Sequence, residues 1–244
     1  MKINVFKTEE IVLEKLASYF VTIANEAIDK NGYFSVALSG GSSPKKLYEL
    51  LSSAAYKNGV KWEKVFFFFG DERYVPQTNP DSNYLMAKKA LFDPLQIKSK
   101  NIFAVNTSLQ PEAAAVEYTI AIRNFFTGTE IKFDLVLLGL GDNAHTASLF
   151  PHTPILHDQT LSVKAVFLNE QKIYRISFTA PLINMAHHTA FLVYGMSKAA
   201  AVKNVIEDEK NIEQYPGQLV APVNGTLNWF LDEAAASFLK SILK

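Results

Sequence analysis

The sequence predicts an α/β fold, a doubly wound and mostly parallel sheet with helices on both faces. Three observations carry this expectation. Apolar runs of strand length recur at 33–38, 65–69, 133–138 and 189–194, and most are followed by glycine and then a helical pattern. The run F-D-L-V-L-L-G shows no apolar/polar alternation, as expected of a parallel strand covered on both faces. Helical periodicity fills the intervals, over Glu9–Asp29, Pro44–Lys57, Asn83–Leu91, Glu112–Phe126 and Lys198–Glu207.

No repeat, low-complexity tract or linker-like stretch divides the 244 residues, so a single domain over 1–244 is expected. The C-terminal segment V-N-G-T-L-N-W-F-L-D-E-A-A-A-S-F-L-K-S-I-L predicts a short strand and a closing helix, with Trp229 and Phe230 as core aromatics. Hydrophobic residues make up 48% of the chain and 24 basic residues balance 24 acidic ones, so no net field favours nucleic acid. Cysteine is absent, which excludes disulfides, thiolate nucleophiles and cysteine metal sites and fits a reducing compartment. Glu9, Glu10, Glu14 and Lys15 interrupt the apolar residues of the N-terminus, so no secretory signal is expected. The longest apolar runs fall far short of the roughly 20 residues of a membrane span. A soluble, cytoplasmic protein without membrane partners is the expectation.

Four segments carry possible chemistry. In S-G-G-S-S-P, Ser39–Pro44, a strand turns into a helix. Gly40 and Gly41 allow a tight turn and close approach to a ligand, Ser43 is a candidate helix cap, and Pro44 suits the first turn. The exposed N–H groups of Ser39, Gly40, Gly41, Ser42 and Ser43 would then form an anion site at the helix start. The segment alone fits a plain strand-to-helix turn equally well, and it has neither nucleotide-loop spacing nor dinucleotide spacing. In F-F-F-F-G-D-E-R-Y-V a buried strand ends in Asp71, Glu72 and Arg73, where open α/β sheets place their ligands. Arg73 offers a fixed fork of donors to a carbonyl, carboxylate or phosphate, while Glu72 reads as a solvated residue in a structural ion pair. In F-D-L-V-L-L-G-L-G-D-N-A-H-T-A-S-L-F-P, His145 follows a buried strand and is placed as a general base, a structural histidine being the alternative. His152 and His157 do not complete a metal motif with it by spacing, and His187 and His188 cap or flank a strand. Finally, Arg175 opens the strand of R-I-S-F-T-A-P and Lys198 begins the helix after F-L-V-Y-G-M-S, so both can converge on one phosphate dianion.

Taken in order, L-S-G-G-S-S-P, F-F-G-D-E-R-Y-V-P, S-N-Y at Ser82–Tyr84, D-L-V-L-L-G-L-G-D-N-A-H-T-A-S-L-F-P, R-I-S-F-T-A-P and N-G-T-L-N-W-F-L-D-E-A-A-A resemble the 6-phosphogluconolactonase family. That family shares a superfamily with glucosamine-6-phosphate deaminase, and the resemblance covers nearly the whole chain. It implies a modified Rossmann-like fold and hydrolysis of a sugar-phosphate lactone, with His145 activating water. It also implies that Arg73 stabilises charge, that Asp71 positions substrate, and that Gly40, Gly41 and Ser42 bind phosphate with Arg175 and Lys198. No metal or organic cofactor is expected.

Two positions depart from the family's usual G-x-D-G-H-T-A-S: Asn143 and Ala144 stand in place of Asp and Gly. Asn143 keeps the size and hydrogen bonding of aspartate but not the charge that would raise the pKa of His145. Ala144 is expected to have negative φ, since a positive value would be costly for a residue with a Cβ. These two departures also support a different reading, a sugar-phosphate sensor without catalysis. Deaminases resemble D-G-H-I-A-F-N-E-P, with a ring-opening glutamate five residues after the histidine. Phe150 holds that position here and cannot transfer a proton.

Overall fold

In the computed structural model residues 1–240 are described. In chain order the elements are β1 (Lys2–Phe6), α1 (Glu9–Asn31), β2 (Phe34–Leu38), α2 (Ser42–Leu51), β3 (Val65–Phe69), β4 (Asp71–Arg73), α3 (Asn83–Ala87), α4 (Pro111–Phe125) and β5 (Leu135–Leu138). They continue as β6 (Val163–Leu168), β7 (Ile173–Phe178), α5 (Ala180–Asn184), β8 (His188–Val193), α6 (Ala199–Ile206), β9 (Thr226–Asp232) and α7 (Glu233–Ala236). Six strands form one sheet in the order β1-β9-β8-β5-β2-β3, every pair parallel. The remaining three form a small antiparallel sheet in the order β4-β7-β6.

The main strands are apolar throughout because alternate side chains enter two separate cores. Phe67 and Phe69 of β3, Val36 and Leu38 of β2 and Leu135 and Leu137 of β5 pack with α1 and α2. Phe68, Ala37, Val136 and Leu138 point the other way, toward α4 and the small sheet. A run of four phenylalanines therefore serves both layers. Each fully buried ring contributes about 1.5–3 kcal/mol relative to an exposed one. Trp229 and Phe230 of β9 are also buried, and Trp229 stacks on Phe191 with centroids 3.9 Å apart.

The expected strands and helices are present, with shifts that have local causes. β5 begins at Leu135 rather than Phe133, because the Asp134 carboxylate accepts from both the N–H and the Oγ of Ser35, each at 2.8 Å. A side chain thus replaces a rung of the ladder. α1 runs on to Asn31 and ends at Gly32, whose φ of 83° and N–H bond to the Ile28 carbonyl form a left-handed cap. The helix at 83–91 is α3 followed by one π turn over Lys88–Phe92. α2 starts earlier than Pro44 and stops at Leu51, and Gly41 rather than Ser43 occupies its cap position, with φ of 107°. Ser43 therefore lies inside the first turn and does not cap. The predicted closing helix is cut short: α7 ends at Ala236, residues 237–240 form a turn and irregular chain, and 241–244 lie outside the described residues.

Gly70 joins the two sheets: its N–H donates to the Leu38 carbonyl in β2 and its carbonyl accepts from Phe178 in β7. The chain steps at that point from the edge of the large sheet into β4. Asp71 and Arg73 then project to one side and Glu72 to the other. Glu72 is neither solvated nor ion-paired, as its neighbours had suggested, but 1% exposed. Its two oxygens accept from the N–H groups of Arg73, Asn83 and Tyr84 at 2.7–2.8 Å and from Ser82 Oγ at 3.2 Å. Burial raises its pKa while those donors oppose the shift. The carboxylate thus ties the start of α3 beneath β4. Glu72→Gln would turn an amide donor toward N–H groups at one of these oxygens. An unfolding free energy lower by about 2–3 kcal/mol is expected from urea denaturation, and a loss below about 0.5 kcal/mol would remove Glu72 from this role.

Candidate functional site

A cleft of about 350 Å³ opens at the carboxyl ends of β2, β3 and β5, between the two sheets. Ser39, Gly40, Gly41, Ser42, Ser43, Asp71, Arg73, His145, Arg175 and Lys198 all line it. Of the residues given a catalytic, phosphate-binding or supporting role from the sequence only Asn143 lies outside the lining, against the His145 ring.

One wall is the turn into α2. The Tyr48 phenol braces it, accepting from Ser39 N–H at 3.0 Å and donating to the Ser39 carbonyl at 2.8 Å. The first N–H groups of α2 have no intrahelical acceptor, as at any helix start, and the positive end of the helix lies with them. A side chain at Gly40 has no room, because a Cβ there would stand 2.0 Å from Asn83 Oδ1.

The opposite wall is cationic. Arg73 and Arg175 are direct cross-strand partners in β4 and β7. Arg73 Nη1 donates to the Asp81 carbonyl at 2.8 Å and Arg175 Nη2 to Gln171 Oε1 at 3.0 Å. Among the described residues neither has a carboxylate partner within ion-pair distance, and Arg175 Nε is buried without any hydrogen bond. Burial and then the Arg73 charge lower the pKa of Arg175. Two like charges at one register position, with a donor unfilled, make a site that an anion would complete. Lys198 Nζ, at the start of α6, pairs with Asp142 Oδ1 at 2.6 Å.

His145 stands between these walls on the loop after β5. Both its backbone N–H, at 3.3 Å, and its Nδ1, at 2.6 Å, address Asn143 Oδ1. The backbone donor identifies that atom as the amide oxygen. Nδ1 therefore carries the ring proton and Nε2 is left as a free base. One ring face stacks on Phe150, centroids 4.0 Å apart and planes at 16°. The other edge is set by Gly141, where a Cβ would lie 2.0 Å from Nδ1. Burial first, then repulsion from Lys198 and Arg175, push the imidazole pKa down to about 4 against the upward pull of Asp71 and Asp142. The ring is neutral at physiological pH. Asp71 is 8% exposed and its Oδ2 accepts from Ser148 Oγ at 2.7 Å.

The loop corrects one expectation. Ala144 has φ of 60°, in the left-handed region, and Ala147 follows at 47°. The cost of about 1–2 kcal/mol for such a residue is offset locally. Ala144 N–H donates to Gly141, its carbonyl accepts from Gly217, both at 2.9 Å, and its methyl is buried in the core. His152 and His157 lie against Glu213, at 3.6 and 2.6 Å, and do not line the cleft. His187 and His188 stand at the start of β8, as expected. Sequence reasoning did not single out Asn83, Ser148 or Gln171 as cleft residues. The S-N-Y segment carried the signal for Asn83, and nothing in spacing marked Gln171.

The model of the family described as "Glucosamine-6-phosphate isomerases/6-phosphogluconolactonase" matches residues 7–229. The chain is 40% identical, over 98% of both sequences, to a 6-phosphogluconolactonase of Synechocystis sp.. It is similar to the solved 6-phosphogluconolactonase from Trypanosoma cruzi, with a TM-score of 0.85 at 27% identity over 98% of this chain and 97% of that one. A monomeric glucosamine-6-phosphate deaminase shares the fold, with a TM-score of 0.83 at 20% identity over 98% of this chain and 100% of that one.

The His145–Asn143 pair generates a prediction that does not depend on any substrate. Restoring a carboxylate, Asn143→Asp, favours the imidazolium and raises the His145 pKa by roughly 1–2 units. NMR titration of the His145 ring should place its midpoint near about 4 in the wild type and higher in the variant. A wild-type midpoint at 6.5 would overturn the assigned environment.

Proposed function

Given that the chain belongs to the glucosamine-6-phosphate isomerase/6-phosphogluconolactonase family, we propose that it hydrolyses 6-phospho-D-glucono-1,5-lactone to 6-phospho-D-gluconate. The observation that carries this reading is His145, its Nδ1 held by Asn143 Oδ1 at 2.6 Å, lining a cleft whose far wall is a pair of cross-strand arginines without an ion-pair partner among the described residues.

In this reading the phosphate sits on the Ser39–Ser43 turn, with Gly40, Gly41 and Ser42 supplying N–H groups and Arg175 and Lys198 supplying charge. Lys198 exchanges Asp142 for the phosphate. Nε2 of His145 takes a proton from water as the water oxygen attacks C1. Negative charge grows on the carbonyl oxygen, where Arg73 opposes it more strongly than in the ground state. The bond from C1 to the ring oxygen then breaks, and the imidazolium returns its proton to that leaving oxygen. Asp71, held by Ser148, orients the substrate and steadies the transient imidazolium. The steps require no cofactor.

Phe150, stacked on His145, offers no second proton-transfer group, which favours hydrolysis over the deaminase chemistry of the wider family. The sensor reading has less support, because a bare Nε2 held in one tautomer is a base in place for use. No helix among the described residues is long and apolar enough to cross a membrane. With the absence of cysteine, that supports action in the cytoplasm.

The test is hydrolysis of freshly generated lactone, corrected for spontaneous opening, in the wild type and His145→Ala. A fall in kcat of about 10²–10⁴-fold, with substrate binding retained, is expected. Because only the unprotonated ring is active, wild-type kcat/KM, which follows the ionisation of the free enzyme, should hold at neutral pH and lose the contribution of His145 as pH drops toward about 4. Full activity in His145→Ala would move the base elsewhere, and no wild-type activity would return the sensor reading.

A further inference from the structure

Asn83 is a buried polar residue of the cleft to which the mechanism above gives no task. It is 2% exposed and stands at the first position of α3, its backbone N–H fixed on Glu72 at 2.7 Å. Its Nδ2 donates to the Asp71 carbonyl at 3.0 Å, which fixes which end of the amide is oxygen. Oδ1 then lies against the backbone of Gly40, in the space a Cβ would fill. Among the described residues no protein donor reaches this oxygen, although the side chain lines the cleft.

Donors predominate in the cleft: the turn at Ser39–Ser43, Arg73, Arg175 and Lys198 suit a phosphate, while the acceptors Asp71 and His145 are taken up, on the lactone reading, by the reacting end of the substrate. Hydroxyl groups must also donate, and Asn83 Oδ1 is an acceptor in the cleft lining that no protein donor occupies. We propose that Asn83 is a specificity-determining residue, its Oδ1 accepting a hydrogen bond from a hydroxyl of the bound sugar-acid phosphate directly beside the phosphate turn. The assignment rests on the lactone reading and deepens it. It makes the site selective for a polyhydroxylated phosphate ester over a bare anion, and it gives a reason for Gly40 besides its turn: only a residue without a side chain leaves room for the amide.

Calorimetric titration of the full chain with inorganic phosphate and with 6-phosphogluconate separates the possibilities. Asn83→Ala is expected to bind 6-phosphogluconate about 10-fold more weakly, the worth of one hydrogen bond, and inorganic phosphate within about 2-fold of the wild type. Asn83→Ser, expected to follow the same pattern, carries the comparison should the alanine variant unfold. Equal weakening of both ligands would mean that Asn83 only supports the turn, and unchanged binding of both would leave it without a role; either overturns the proposal. A wild type that binds 6-phosphogluconate no more tightly than phosphate would overturn the substrate reading and this assignment with it, and that result is visible before any variant is made.

Discussion

Arg73 and Arg175 face one another across β4 and β7 with no carboxylate of the described residues within ion-pair distance of either, and the architecture around the cleft is what makes that arrangement tolerable. Like charges at one cross-strand position oppose sheet formation. The pair is held by backbone geometry fixed elsewhere. β7 is zipped to β6 along six register pairs, and β4 is anchored through Gly70 to both β2 and β7. Beneath β4 the Glu72 carboxylate gathers three backbone N–H groups and a hydroxyl. A desolvated carboxylate is costly without partners, and this one has four. The short segment Asp71–Glu72–Arg73 thus divides by strand alternation: the outer residues go to the cleft, the middle one to the framework that forces the two guanidinium groups together.

Strain in the loop that carries His145 is distributed by the same logic. Two alanines with positive φ flank His145 within four residues, and neither would hold that conformation in a free peptide. The loop is over-determined. Gly141 and His145 bond back across it, Ala144 is bonded at both its N–H and its carbonyl, and Phe150 closes the ring face. The His145 ring is positioned by backbone bonds and one aromatic plane, and its tautomer by one amide oxygen.

The parallel sheet was legible because burial on both faces removes polar alternation from β2, β3 and β5. The cleft was legible because glycine and charge arrive together at the ends of those strands. What the residues hid was tertiary. Glu72 reads like its charged neighbours until the strand places it inward. β1 and β6 have mixed burial and gave no clean period. The sign of φ at Ala144 depends on Gly217, more than seventy positions away, and no local propensity carries that information. The conjunction of Arg73 with Arg175 could be suspected from two separate motifs, but only the pairing of β4 with β7 makes them one cationic wall.

On the proposed function that wall also bears on His145, and in a way that would make an uncharged partner workable. A dianion held by the turn and the arginines would bring negative charge close to the imidazole. It would offset the repulsion from Lys198 and Arg175 that now depresses the pKa. An aspartate at position 143 would add to that upward pull and protonate a larger fraction of the base when substrate is bound. Asn143 fixes the same tautomer through the same oxygen without that contribution. On the proposed function the ring stays unprotonated in the empty cleft and would gain basicity as the anion enters, so that its strength as a base would be set by occupancy of the site rather than by a fixed neighbouring charge.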